Sequence, residues 1–448
     1  MTRLFGTNGI RWVVGERNIT FAVRLGIDAG IFYGEGSTIA IGYDTRTSSP
    51  MILNAVVSGL LSSGCHTMNL GLVPTPLVQY AVKHKGYAGG LMVTASHNPP
   101  EFNGLKFFAA DGTEISRPDE ERIEMIHDSG EMPSSAWNTV GKSNSESHIQ
   151  SDYRKVIGAI LKEFNKSKSV VIDCANGAAI GYSPEIITES GCKVVTLNGH
   201  PDGRFPGRMP EPVRENVSGL MQAVCSHGAD MGIAHDGDAD RATFVDEKGN
   251  YVTGDQSLAI FAWEALERRG PGKIVVPINT SKMVEDIVTT NGGEIVYTAV
   301  GSPLIARRMM ENGAIFGGEG NGGAIFSEHQ YCRDGIMAAA RMLCIISKKG
   351  PLSDIVSQLP KYSTKSSKLR MVPEQKERIL EQVRKEAGER FSDIDGIKTD
   401  LDDGWTLVRA SGTEPIIRIT VETRSEELSN RILKERVDHL KEIIKGLS

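Results

Sequence analysis

The chain has 448 residues, 40% hydrophobic and 24% charged, with a formal net charge of -6. That length implies roughly three or four domains, and the acidic balance argues against general affinity for nucleic acid while leaving room for a local basic pocket that takes a small anion. Six cysteines are scattered without a CxxC pair, no apolar run approaches membrane-spanning length, and residues 1–11 lack the apolar core of a secretion signal. A cytoplasmic protein in a reducing compartment, with no membrane partner, is the expectation.

Residues 2–11, TRLFGTNGIR, form a glycine-rich lead that ends on Arg11. Beyond it one pattern recurs three times: a strand, a helix, a second strand introduced by glycine, another helix, and a third strand ending in a polar loop. The first copy starts at Thr38–Ile41, passes helices at Met51–Ser62 and Thr75–Lys85, and finishes in Gly90–Ser96. The second opens with Val170–Asp173 and finishes in Ala229–Asp240; the third opens with Lys273–Val276 and finishes in Ala314–Gly323. Alternating strands and helices predict three similar α/β domains, and such sheets bind ligands beyond the carboxyl ends of their strands. Residues 128–151 and Asn250–Gln256 read as linkers. After Ser347 a Ser- and Lys-rich stretch, a charged helix over Glu374–Arg390, strands and a C-terminal helix predict a small α+β domain. The expected division is 1–149, 150–252, 253–360 and 361–448.

The third strand of the first copy runs into VTASHNPPEFNGLK, which places Ser96 on a loop beside His97 with Lys106 ten residues on. A serine hydroxyl needs activation or pre-loading to act as a nucleophile, and Pro99 and Pro100 would stiffen its turn. Taken alone, the segment also fits a polar surface turn. In the second copy Asp236, Asp238 and Asp240 alternate, so in an extended segment all three face one hard cation. An EF-hand would use Asp236, Asp238, Asp240 and Glu247, but its glycine position holds Arg241; Mg²⁺ is the expected ion, with calcium and a solvated acidic turn as alternatives.

The third loop, GEGNGG over Gly318–Gly323, formally matches GxGxxG. A dinucleotide site would need a helix at once and an acidic residue about twenty positions on. An apolar run follows instead, so Glu319 and Asn321 are expected to bond the hydroxyls of a sugar. In the fourth unit Arg409, Ser411, Gly412, Thr413 and the nearby Arg418 compose a candidate phosphate cradle, with a surface turn as the plain alternative.

FGTNGIR, TASHNPPEFNGLK, DGDADR, GGEGNGG and RASGTEP, in this order, resemble the α-D-phosphohexomutase superfamily over nearly the whole chain. The resemblance implies three similar α/β domains with mixed sheets plus a C-terminal α+β domain, arranged around a central cleft, and an enzyme that interconverts hexose 6-phosphate and hexose 1-phosphate through a phosphoserine and a sugar 1,6-bisphosphate. It implies Ser96 as the phosphoserine, with Lys106, Arg11 and His97 as catalytic neighbours and Arg241 stabilising the phosphoserine. Mg²⁺ would lie between Asp236, Asp238, Asp240 and the Ser96 phosphate oxygen. Gly301, Glu319, Asn321, Arg409, Ser411, Gly412, Thr413 and Arg418 would bind a sugar phosphate. The family's sugar loop often carries Ser and His where this chain has Asn321 and Gly323, and the Ala299–Pro303 loop also departs from the bacterial pattern. The opening, the PDGRFPGRMPEP segment and the NGG loop look most like archaeal phosphoglucosamine mutases. The alternatives are a phosphomannomutase/phosphoglucomutase of broad specificity and a non-catalytic sugar-phosphate binder. The family implies a monomer or homodimer.

Overall fold

The structure, a computed structural model, describes residues 3–6, 8–162, 164, 168–410 and 415–446. The first sheet contains β1 (Ile10–Val13), β2 (Thr38–Tyr43), β3 (His66–Leu72), β4 (Gly89–Val93), β5 (Phe102–Ala109) and β6 (Ser143–Ser145), ordered β1-β5-β4-β2-β3-β6. The second contains β7 (Ser169–Asp173), β8 (Lys193–Leu197), β9 (Met231–His235), β10 (Ala242–Asp246) and β11 (Tyr251–Val252), ordered β11-β10-β9-β7-β8. The third contains β12 (Lys273–Pro277), β13 (Glu294–Thr298), β14 (Phe316–Glu319) and β15 (Gly323–Phe326), ordered β13-β12-β14-β15. The last contains β16 (Ser363–Arg370), β17 (Phe391–Ser392), β18 (Ile397–Leu401), β19 (Gly404–Ala410) and β20 (Ile416–Thr423), and is antiparallel throughout.

The three repeats share one topological event. In each, three strands pair in parallel, and then the last of them is followed by an antiparallel return strand: β4 to β5, β9 to β10 and β14 to β15. Each polar loop singled out in the sequence makes that reversal. The return strands β5 and β10 are buried inner strands, each between two partners in its sheet.

Three segments differ from the sequence expectation, one of them Asn250–Gln256, which holds β11 paired with β10 and the start of the helix Gly254–Arg269 rather than a linker. Residues 128–151 do not form a free linker, because β6 adds to the first sheet by pairing in parallel with β3. Ser363–Arg370 looks like a loop in composition, yet it is an edge strand whose residues alternate between half-buried and exposed. Lysines on such an edge discourage pairing with other chains.

A single apolar cluster runs through the first three repeats. Phe261 sits edge-on to Phe244 of β10 at 5.9 Å and to Phe326 of β15 at 5.4 Å, so the second and third sheets are joined by aromatic contacts of about 1 kcal/mol each beyond area burial. The last sheet has its own core around Ile379, Val408, Ile417 and Leu440. It meets the third repeat through a small patch of Ile278, Trp405 and Leu407. No helix among the described residues is long and apolar enough to cross a membrane.

Candidate active site

The serine loop leaves β4 with Ser96 buried and its backbone at φ 51°, a left-handed conformation that a non-glycine residue holds only when its surroundings impose it. The backbone N–H of Ser96 donates to Thr94 Oγ1 at 2.8 Å. The main restraint is Arg46, just beyond β2. Its guanidinium donates to the carbonyls of Ser96 (2.9 Å), Asn98 (2.6 Å), Pro99 (2.6 Å) and Phe102 (2.9 Å), while Asp44 pairs with its Nε at 3.1 Å. The loop is thus held by a buried fork of donors as well as by its prolines.

Ser96 Oγ donates to Asp236 Oδ2 at 3.0 Å, and His97 Nδ1 lies 3.4 Å away. Burial, reinforced by Arg241 and Arg11, pushes the His97 imidazole down to about 2, so it is neutral. Asp236, Asp238 and Asp240 are buried, and one carboxylate oxygen from each lies within 4.8 Å of the others. Lys106 Nζ bonds Asp238 at 2.6 Å and Asp240 at 2.8 Å, and Arg241 Nε bonds Asp236 at 3.0 Å. Burial and the charge of Asp240 push Asp236 up. Burial alone would raise Asp240 as well, but Arg333, Lys106 and Arg241 hold it well below the usual carboxylate range.

These carboxylates fit a divalent cation. Asp238 Oδ1 and Asp240 Oδ1 are buried without a hydrogen-bond partner among the described residues, and hard oxygen donors that converge in this way suit Mg²⁺. The EF-hand alternative loses its support, because Glu247 bonds Ser353 instead and the loop joins two antiparallel strands. Arg241 Nη2 is also buried without a partner, which leaves a donor for an anion beside Ser96.

Contacts from the other repeats fix the aspartate loop in place. The backbone N–H and side chain of Thr75 donate to the Asp238 carbonyl at 3.0 Å and to its carboxylate at 2.5 Å. Gly237 packs so closely on the serine loop that a Cβ there would lie 2.5 Å from the Ser96 carbonyl oxygen. From the third repeat, Gly322 accepts from Ala242 N–H and Gly335 N–H donates to Ala239, both at 3.2 Å.

A cleft of about 1060 Å³ gathers Arg11, Ser96, His97, Arg241, Gly301, Glu319, Asn321 and Arg418. Arg11 donates to Asn98 Oδ1 at 2.5 Å. Gly301 caps the helix Ser302–Asn312, and the Val300 N–H donates to Asp395 Oδ2 at 3.0 Å. The glycine-rich third loop is a β-hairpin in which Glu319 pairs with Gly323, so the strand-to-helix turn of a dinucleotide site is absent there. Lys106 lies behind the aspartates, outside the cleft lining. Arg409 is also outside it: it faces Arg418 across β19 and β20 and pairs with Asp395 at 2.7 Å. Ser411, Gly412 and Thr413 lie outside the described residues.

Sequence reasoning missed Arg46, Thr75 and Arg333. Arg46 follows one strand's carboxyl end in a polar turn and Thr75 opens the helix Thr75–Lys85 just after another, positions that the ligand-position rule could have flagged. Arg333 had a weaker signal, a charge beside the N-cap Asp334 of the apolar helix Gly335–Lys349.

The family descriptions phosphoglucomutase/phosphomannomutase alpha/beta/alpha domains I, II and III match residues 2–133, 151–249 and 253–362, and the C-terminal domain matches 368–439. The chain belongs to the phosphoglucomutase/phosphomannomutase family. It is 40% identical to a probable phosphoglucosamine mutase of Methanopyrus kandleri, over 98% of each chain. It is 39% identical to a phosphoglucomutase/phosphomannomutase of Thermococcus kodakarensis, over 100% of each. A phosphoglucomutase/phosphomannomutase family protein of Burkholderia thailandensis superposes with a TM-score of 0.89 at 25% identity, covering 98% of this chain and 97% of that one. As a phosphohexomutase it has the fold expected from its sequence, three mixed-sheet α/β domains and a C-terminal domain with an antiparallel sheet.

Proposed function

We propose that the chain interconverts glucosamine 6-phosphate and glucosamine 1-phosphate, with Ser96 carrying the transferred phosphoryl group. The observation that carries this reading is the Ser96 hydroxyl 3.0 Å from one of three converging buried aspartates, in a cleft whose other wall holds Arg418. In the first half-reaction the bond from Ser96 Oγ to phosphorus breaks as a sugar hydroxyl oxygen bonds to phosphorus, and the proton that hydroxyl loses ends on Ser96 Oγ. The resulting 1,6-bisphosphate reorients in the cleft, the bond from its other ester oxygen to phosphorus breaks as Ser96 Oγ bonds to that phosphorus, and the serine proton passes to the freed sugar oxygen.

Asp236, Asp238 and Asp240 would hold Mg²⁺ together with the Ser96 phosphate oxygen, and the ion supplies charge neutralisation for phosphoryl transfer. Arg241, with its unpartnered Nη2, is assigned to the phosphoryl oxygens on Ser96. Arg11, His97 and Lys106 are assigned to proton transfer and charge balance around the serine. Glu319, Asn321 and Gly301 read the sugar, and Arg418 with Arg409, Ser411, Gly412 and Thr413 holds the phosphate that is not reacting. Support for that last assignment is that Arg418 lines the cleft and that Arg409 stands opposite it across β19 and β20.

The glucosamine preference is supported by the name carried by relatives of about 40% identity. A broad phosphomannomutase/phosphoglucomutase is the second reading, supported by the name of the Thermococcus relative. Initial rates on glucosamine, glucose and mannose 6-phosphates, each with its 1,6-bisphosphate as activator, separate the two. Glucosamine turned over no faster than glucose or mannose contradicts the preference.

A further inference from the structure

Arg333 lies between β15 and the helix Gly335–Lys349, at the point where the first three repeats meet. Its Nη2 is 2.6 Å from Asp240 Oδ2 of the aspartate loop and 3.8 Å from Glu114 Oε1 of the first repeat. Its Nη1 is 3.3 Å from Glu319 Oε2 of the sugar loop. The side chain is 10% exposed and lines the cleft. One planar fork therefore bridges the candidate cation site and the carboxylate assigned to the sugar, a geometry that a lysine ammonium cannot reproduce.

Gly323 provides the path for that side chain. A Cβ at residue 323 would lie 2.4 Å from Arg333 Cδ and 3.2 Å from its Cγ. Gly323 is not among the residues with positive φ, so its backbone conformation does not require glycine, whereas the space it leaves open does. Its N–H also donates to Asn321 Oδ1 at 3.0 Å, and Asn321 Nδ2 reaches Glu319 Oε2 at 3.4 Å. Glu319 is thus held from two sides, by Arg333 and by Asn321, and both supports depend on the shape of the strand at Gly323.

We propose that Arg333 is a positioning residue that aims Glu319 at the sugar and couples that aim to the cation site through Asp240, and that residue 323 is glycine to admit it. The proposal rests on the phosphohexomutase reading of the cleft. Its physical consequence is a pair of effects with opposite signs. Arg333 neutralises Asp240, so removing the guanidinium leaves the aspartate cluster more negative and favours a divalent cation. The same removal leaves Glu319 without its main restraint, so the sugar phosphate binds less well. A residue that only stabilised the fold would weaken both together when lost.

The test titrates Mn²⁺ into metal-free protein by calorimetry and, separately, glucosamine 6-phosphate into protein carrying Ser96→Ala so that nothing turns over. Arg333→Gln is expected to bind Mn²⁺ about tenfold more tightly and the sugar phosphate about tenfold more weakly. Arg333→Lys is expected to keep Mn²⁺ affinity near wild type without rescuing the sugar. Gly323→Ala should reproduce the sugar defect by displacing Arg333, and adding it to Arg333→Ala, which has neither the Cγ nor the Cδ that the new methyl meets, should cost nothing further. Mn²⁺ and sugar affinities that fall together, or Gly323→Ala that binds sugar phosphate as wild type does, overturn the proposal. A protein with Arg333 and Gly323 intact that binds no glucosamine, glucose or mannose 6-phosphate sinks the mutase reading and this proposal with it. Tight sugar binding that Arg333→Gln leaves unchanged sinks the proposal alone.

Discussion

Replacing Arg46 by methionine tests what holds the serine loop in place. The guanidinium is fully buried, pairs with a fully buried Asp44, and donates to four backbone carbonyls between Ser96 and Phe102. Methionine keeps much of the side-chain volume but leaves Asp44 as an unpaired buried charge. Removing one partner of a buried ion pair costs about 3 to 5 kcal/mol, and each carbonyl left unsatisfied adds about 1 kcal/mol or more where water cannot reach it. A loss of at least about 4 kcal/mol is a large share of the roughly 5 to 15 kcal/mol that stabilises a typical domain. Arg46→Lys retains the charge but not the fork, so a loss of about half that size is expected. Urea denaturation gives the stability change, and hydrogen exchange over residues 94–102 shows whether the loop itself has loosened. An Arg46→Met protein with an unchanged urea midpoint and wild-type protection in that loop would refute the reasoning.

Gly237→Ala should slow turnover about tenfold or more, because its Cβ would meet the Ser96 carbonyl oxygen at 2.5 Å and must push the serine aside; unchanged kcat would contradict this. Asp238→Asn removes one candidate cation ligand and should raise the Mg²⁺ concentration needed for half-maximal rate, so a superimposable metal titration would remove that residue from the ligand set. Burial, only partly offset by the Ser281 N–H, pushes the Asp255 carboxyl up to about 6. Its folded pKa lies above the unfolded value of about 3.9, so its contribution to stability is present at low pH and is lost as pH rises through about 6. Asp255→Asn should therefore gain stability relative to wild type between pH 5 and pH 7.5, as thermal denaturation at the two pH values would show. An equal difference at both would be contrary to expectation.

The strands that matter most were legible because burial on both faces demands continuous apolar runs, as in Val170–Asp173 and Lys273–Val276. Their polar exits stood out against those runs, which is why Ser96, the alternating aspartates and Glu319 could be named from sequence. Short edge strands carry no such signal. Ser143–Ser145 is exposed and polar, and only its pairing with β3 makes it a strand. The roles of Arg46 and Arg333 were hard to read for a different reason. A buried arginine looks like a surface one in sequence, and what distinguishes these two is the set of carbonyls and carboxylates that distant segments bring around them. The rejection of a dinucleotide site at GEGNGG was possible because the following residues read as a strand, and β15 is that strand.

The proposed role of Ser96, to receive and return the phosphoryl group, is tested most directly by peptide mass spectrometry after brief exposure to glucose 1,6-bisphosphate and Mg²⁺. One phosphate is expected on the peptide containing Ser96, lost again when excess hexose monophosphate is added, with no labelling or turnover in Ser96→Ala. Phosphate on another residue, or a Ser96→Ala protein that turns over at the wild-type rate, would contradict it.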